Sequence, residues 1–91
     1  MYGKGKWTGT VRFSVAAANG AQKAALAGNF NSWQPAAMKQ QKDGRFALEL
    51  RLPPGIYEYK FIVDGAWMAD PDHSHWAPNA FGSFNSVAQV E

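Results

Sequence analysis

The run from Tyr57 to Trp67, Tyr-Glu-Tyr-Lys-Phe-Ile-Val-Asp-Gly-Ala-Trp, constrains this chain more than any other stretch. Side chains of an extended strand alternate between its two faces. Tyr57, Tyr59, Phe61 and Val63 therefore share one face, fit for a core. Glu58, Lys60, Ile62 and Asp64 share the other, which is free for solvent or a ligand. Asp64-Gly65 then forces a tight hairpin, because both residue types tolerate positive φ. Trp67 follows, a large apolar ring in polar company, and with Lys60 it forms an aromatic-plus-polar pair.

The same logic extends to the rest of the chain. Trp7, Val11, Phe13 and Val15 alternate with polar residues and predict a half-buried strand with Trp7 in the core. Met1 to Lys6 reads as a frayed end. Lys23 to Ala27 predicts a short strand after the turn at Asn19-Gly20, and Met38 to Lys42 another before Asp43-Gly44. Arg45 to Leu52 alternates with Phe46, Leu48, Leu50 and Leu52 inward. Pro53-Pro54-Gly55 ends that strand. Ser83 to Val90 predicts a last strand with an ambiguous face. Short strands, Gly/Pro turns and the lack of a convincing amphipathic helix predict an all-β antiparallel sandwich. At 91 residues the chain is expected to form one domain, with its core over about residues 7–90.

Charge narrows the partners. The net charge is only +2, and the basic residues are scattered, so no basic arm points to nucleic acid. No long apolar run predicts a membrane span. With no cysteine there is no disulfide frame or thiol chemistry, and a reducing, cytoplasmic setting is the expectation.

Two stretches remain that a core does not explain. Gly28-Asn-Phe-Asn-Ser-Trp33 is rich in turn formers yet holds two aromatics. Phe30 is expected to turn inward and Trp33 outward. Residues 68–82 form a long irregular connection, a feature that is usually functional or disordered in so small a domain. Within it, Asp70-Pro71-Asp72 reads as a turn with solvated His73 and His75. Two histidines at i and i+2 beside carboxylates are a weak metal pattern, so no metal and no cofactor are expected.

Four motifs then carry a family resemblance: Gly-Asn-Phe-Asn-Ser-Trp at 28–33, Leu-Pro-Pro-Gly-Ile-Tyr-Glu-Tyr-Lys-Phe-Ile-Val-Asp-Gly-Ala-Trp at 52–67, Asp-Pro at 70–71 and Phe-Gly-Ser-Phe-Asn-Ser-Val at 81–87. In this order and spacing they resemble a family 48 carbohydrate-binding module, over roughly residues 8–90. The family includes the glycogen-binding domain of AMP-activated protein kinase beta subunits and the N-terminal domains of branching and debranching enzymes. The resemblance implies an immunoglobulin-like β-sandwich that binds α-1,4-linked glucan without catalysis. It implies stacking by Trp33 and Trp67, and hydrogen bonding by Lys60 and Asn85. It also implies a reach over a sugar ring by Phe81, where members usually carry a smaller aliphatic, and a hydroxyl contact by Ser83. The implied partners are glycogen, starch, maltooligosaccharide or cyclodextrin, together with an associated enzyme or kinase.

The residues suit that ligand. A pyranose offers an apolar C–H face that an indole covers with little entropy loss, and a hydroxyl rim that Lys and Asn can bond. Two rival classes remain. Hydrolysis of a glycosidic bond needs two placed carboxylates, which no motif here supplies. A protein-interaction scaffold would keep the fold and use its exposed Trp rings as interface anchors. Trp76 is a further candidate to extend a sugar platform.

Overall fold

The computed structural model describes residues 1–16, 20–72 and 75–91. The described strands are β1 (Tyr2–Lys4), β2 (Thr10–Val15), β3 (Ala24–Gly28), β4 (Ala36–Ala37), β5 (Lys39–Gln40), β6 (Phe46–Arg51), β7 (Gly55–Val63), β8 (Ala66–Met68), β9 (Trp76–Pro78) and β10 (Phe84–Val90). They form two antiparallel sheets in an immunoglobulin-like sandwich. One sheet runs β1-β2-β6-β5. The other runs β4-β3-β7-β10-β9, with β8 also paired to β7. No helix among the described residues is long and apolar enough to cross a membrane.

β7 organises the second sheet. Its later half pairs with β3, Leu26 opposite Phe61, and its earlier half with β10, Ser86 opposite Tyr59. The alternation holds: Tyr59 and Phe61 are fully buried, and Tyr57 and Val63 pack against the core. Phe13 of β2 meets Tyr59 edge-on at 5.0 Å across the sandwich, and Phe30 lies 5.6 Å from Phe13. Phe30 is therefore the inward plug its loop position predicts. Burying each such ring stabilises the fold by about 1.5–3 kcal/mol.

The hairpin after β7 has the geometry the Asp-Gly pair predicts. Asp64 and Gly65 both take positive φ, 48° and 85°, and Val63 faces Ala66. Asp64 also fastens this hairpin to the start of β3, accepting from the Gln22 and Lys23 amides at 3.0 Å each.

Two expectations are corrected. Trp7 is not a core residue; its ring is 63% exposed. β2 starts only at Thr10, and the Trp7 carbonyl bonds back to the Thr10 amide at 3.1 Å, so the alternation stops before Trp7. Met1 to Lys6 is not a frayed end. Tyr2 pairs opposite Phe13 and packs against the core from β1.

The Asp70-Pro71-Asp72 turn forms as expected, and within it Asp70 is only 1% exposed. It accepts from the Tyr59 hydroxyl at 2.6 Å and from the Asp72 amide at 2.9 Å, and its own amide donates to Ser86 Oγ at 2.6 Å. The Met1 amino group also pairs with it. Burial, with the hydrogen bond to Asp70 next, pushes the Tyr59 hydroxyl pKa well above its ordinary value, which keeps it a donor. His73 lies outside the described residues. Among the described residues no group of three or more His, Asp or Glu is placed to hold a metal.

Candidate functional site

The outer face of β7 carries Glu58 and Lys60. β10 adds Asn85 beside them, and the β7–β8 hairpin adds Trp67 opposite Ile62. Two loops close this face into a groove of about 530 Å³. One is residues 29–33, which presents Trp33. The other is residues 79–83, which presents Phe81 and Ser83. All six residues that the sequence marks, Trp33, Lys60, Trp67, Phe81, Ser83 and Asn85, line this one groove. Asn29, Glu58 and Asn79 line it too.

The first loop is tightly specified by its own amides. Asn31 Oδ1 accepts from the Gly28 amide at 3.0 Å, and its Nδ2 donates to the Leu26 carbonyl at 3.3 Å. The Trp33 amide donates back to the Gly28 carbonyl at 2.9 Å. Asn29 staples the loop to β7: its amide donates to the Glu58 carbonyl and its Oδ1 accepts from the Glu58 amide. Ser32 and Trp33 are both held at positive φ, 57° and 60°, an uncommon state for residues with a Cβ. Backbone strain of this kind, of order 1–3 kcal/mol per residue, collects where a side chain must be aimed.

Gly28 is required by space. A Cβ there would sit 2.4 Å from the Phe30 ring and 2.6 Å from the Glu58 carbonyl oxygen. Gly28→Ala is therefore expected to cost about 1–3 kcal/mol and to displace Trp33. A thermal melt and a glucan titration check it; an unshifted melting temperature with unchanged affinity would contradict this account.

The second loop is held by Asn79. Its Oδ1 accepts from the Phe81 and Ser83 amides at 2.9 and 3.2 Å, which leaves Phe81 projecting at 92% exposure. Its Nδ2 donates to Asn85 Oδ1 at 3.0 Å, and Asn85 Nδ2 donates to Glu58 Oε1 at 3.0 Å. Lys60 Nζ donates to Ser83 Oγ at 2.9 Å. The groove floor is thus a pre-set polar chain, and its walls are aromatic. Asn85, read from sequence as a rim donor, is buried in that chain with both ends of its amide engaged.

Glu58 was legible in the alternation, since it shares the parity of Lys60. Asn29 and Asn79 carried no signal beyond their turn-forming character. Trp76 does not line the groove. It pairs opposite Ser86, one residue off Asn85, so its ring falls on the other face, 6.3 Å from the Phe84 ring.

A sandwich of this kind, with two indoles and a polar floor in one open groove, defines a small carbohydrate-binding module. The family model described as the glycogen recognition site of AMP-activated protein kinase matches residues 11–91, and the chain belongs to that family. It is 31% identical to the 5'-AMP-activated protein kinase subunit beta-1 of Sus scrofa over 86 residues, covering 94% of this chain and 61% of that one. It is 46% identical to Protein PTST homolog 2, chloroplastic, of Arabidopsis thaliana over 59 residues, 64% of this chain and 11% of that one. The chain thus spans less than two thirds of these curated relatives. Among solved structures, the maltogenic amylase from S. marinus superposes with a TM-score of 0.76 at 22% identity, covering 90% of this chain and 13% of that one. That likeness is one of fold.

Proposed function

We propose that this groove binds an α-1,4-linked glucan of the glycogen or starch type and carries out no chemistry on it. The observation that carries the reading is the convergence of Trp33 and Trp67 with Lys60 and Asn85 on one face of the second sheet. The indoles offer flat apolar surfaces to the C–H faces of successive glucose rings. Lys60, Ser83 and the Asn79–Asn85–Glu58 chain meet the hydroxyl rim, and Phe81 leans over the bound chain from the loop tip. The ligands and relatives named for this family support the same choice of sugar.

Catalysis is disfavoured by the lining. Glycoside hydrolysis uses two carboxyl groups roughly 5–10 Å apart. Glu58 is the one carboxylate among the described residues that line the groove, and it already accepts from Asn85. The role we assign is anchoring. The module holds an attached domain, enzyme or kinase on the polysaccharide, as the membership of a kinase-subunit family suggests.

Titration with maltoheptaose or β-cyclodextrin, followed by indole and backbone NMR shifts, tests the reading. Saturable shifts at the Trp33 and Trp67 indoles, with Lys60 and Asn85 moving, are expected at micromolar to millimolar sugar. No shift at millimolar sugar would overturn it in favour of a protein-docking scaffold. Lys60→Ala is expected to weaken binding less than tenfold, because the ammonium is shared with Ser83 and a solvated rim contact has a modest net value. A loss above tenfold in the same titration would mean that the polar contact, not stacking, dominates.

A further inference from the structure

Trp7 has no duty in the core, since neither the buried cluster nor the hydrophobics packed against it include it. Yet the loop that carries it is fixed with unusual care. The Trp7 amide donates to Thr10 Oγ1 at 3.2 Å, and that hydroxyl donates back to the Trp7 carbonyl at 2.6 Å. The Lys6 amide donates to Glu49 Oε1 at 3.0 Å, and Arg51 donates to the Thr8 carbonyl at 3.2 Å. The Leu52 amide donates to the Gly9 carbonyl at 3.2 Å.

Two glycines make the loop possible. A Cβ on Gly5 would lie 2.1 Å from Thr10 Oγ1, and Gly9 sits at φ +82°. The outcome is an indole held in water, 63% exposed, with the Lys6 ammonium 5.4 Å from its centroid. An ordered aromatic ring loses little freedom on binding, which favours a ligand over chance exposure.

The ring lines a second cavity, of about 680 Å³, together with Lys4, Lys6, Thr8, Leu52 and Gln89. None of the described residues lining the first groove lines this one. Its chemistry repeats that of the first groove: an indole, an ammonium and a carboxamide. Asn85 and Gln89 are on the same parity of β10, roughly 13 Å apart at about 3.3 Å per residue.

We propose that Trp7 is the platform of a second, independent α-glucan site. Its indole stacks on a sugar ring through the face that Lys6 leaves open, while Lys4 and Gln89 bond the hydroxyls. This rests on the glucan reading of the first groove. Two sites near opposite ends of one strand let a single module engage two glucan segments, and linkage on a polysaccharide raises the apparent affinity over that of either site alone.

The test is maltoheptaose titration of the full 91-residue chain with all four Trp indoles resolved, in the wild type, in Trp7→Ala and in the Trp33→Ala/Trp67→Ala double variant. The expected result is a saturable Trp7 indole shift that persists in the double variant, with Gln89 moving alongside. Trp7→Ala should leave the Trp33 and Trp67 shifts intact and lower retention on glycogen in affinity electrophoresis severalfold. Should the double variant not fold, a separate saturation midpoint for Trp7 in the wild type gives the same answer. Shifts at Trp33 and Trp67 without one at Trp7 overturn the second site and leave the first. A Trp7 shift that vanishes in the folded double variant overturns its independence. Silence at all the indoles overturns both readings together.

Discussion

Replacing Trp67 or Trp33 with alanine is expected to weaken binding of maltoheptaose at the first groove tenfold or more, about 1.4 kcal/mol or above, and to leave the fold standing. Trp67 is half exposed on the β7–β8 hairpin, and the Asp64-Gly65 turn that shapes the hairpin lies outside its side chain. The buried cluster around Phe13, Tyr59 and Phe61 does not include it. Truncating such a ring removes stacking surface and little else, so stability should change by less than about 0.5 kcal/mol. Trp33 is partly buried, but it sits on a loop whose geometry is set by backbone bonds to Gly28 and by Asn29 and Asn31, all of which survive the loss of the indole. Calorimetric titration paired with a thermal melt separates the two effects. Unfolding of either variant would show that the ring serves the core.

Asp70→Ala is expected to be the most damaging polar substitution, lowering stability by about 2–4 kcal/mol. The carboxylate is buried between the sheets and collects the Tyr59 hydroxyl, the Asp72 amide and the Met1 amino group. Burial holds the pKa of that amino group below its ordinary value, although the charge of Asp70 opposes the shift. Alanine would leave the buried Tyr59 hydroxyl without its acceptor, while the Met1 ammonium would keep only its bond to the Ser14 carbonyl, and unsatisfied buried groups cost more than the bonds themselves contribute. Asp70→Asn keeps an acceptor for Tyr59 and should recover part of the loss. Urea denaturation measures both; a wild-type midpoint for Asp70→Ala would refute the role given to this network. The groove lies on the opposite face of the sheet, so glucan affinity below the melting transition should be nearly unchanged.

The contrast between Trp7 and Tyr59 shows how far the sequence reaches. Alternation from Tyr57 to Val63, closed by Asp64-Gly65, sufficed to place Tyr59 and Phe61 in the core and Glu58 and Lys60 outside. Alternation is a local property of an extended chain and needs no knowledge of the partner strand. The same rule applied to Trp7 failed, because it assumes that the strand is already extended there. The Gly5–Thr10 loop breaks it through hydrogen bonds to Glu49 and Arg51, residues forty or more positions away.

The burial of Asp70 is a related case. An Asp-Pro pair favours a turn, and nothing local shows that Tyr59 and Ser86 close over it. The sequence by itself determined the sheet faces, the tight hairpin, the inward Phe30 and the identity of the groove's aromatics, since each follows from short-range periodicity, turn chemistry or motif. Only the tertiary structure decided that Trp33, Lys60, Trp67, Phe81, Ser83 and Asn85 share one groove, that an Asn79–Asn85–Glu58 chain forms its floor, and that Trp7 stands in water. Those outcomes depend on which strands become neighbours, and strand pairing is settled by the packing of the whole core, not by any single segment.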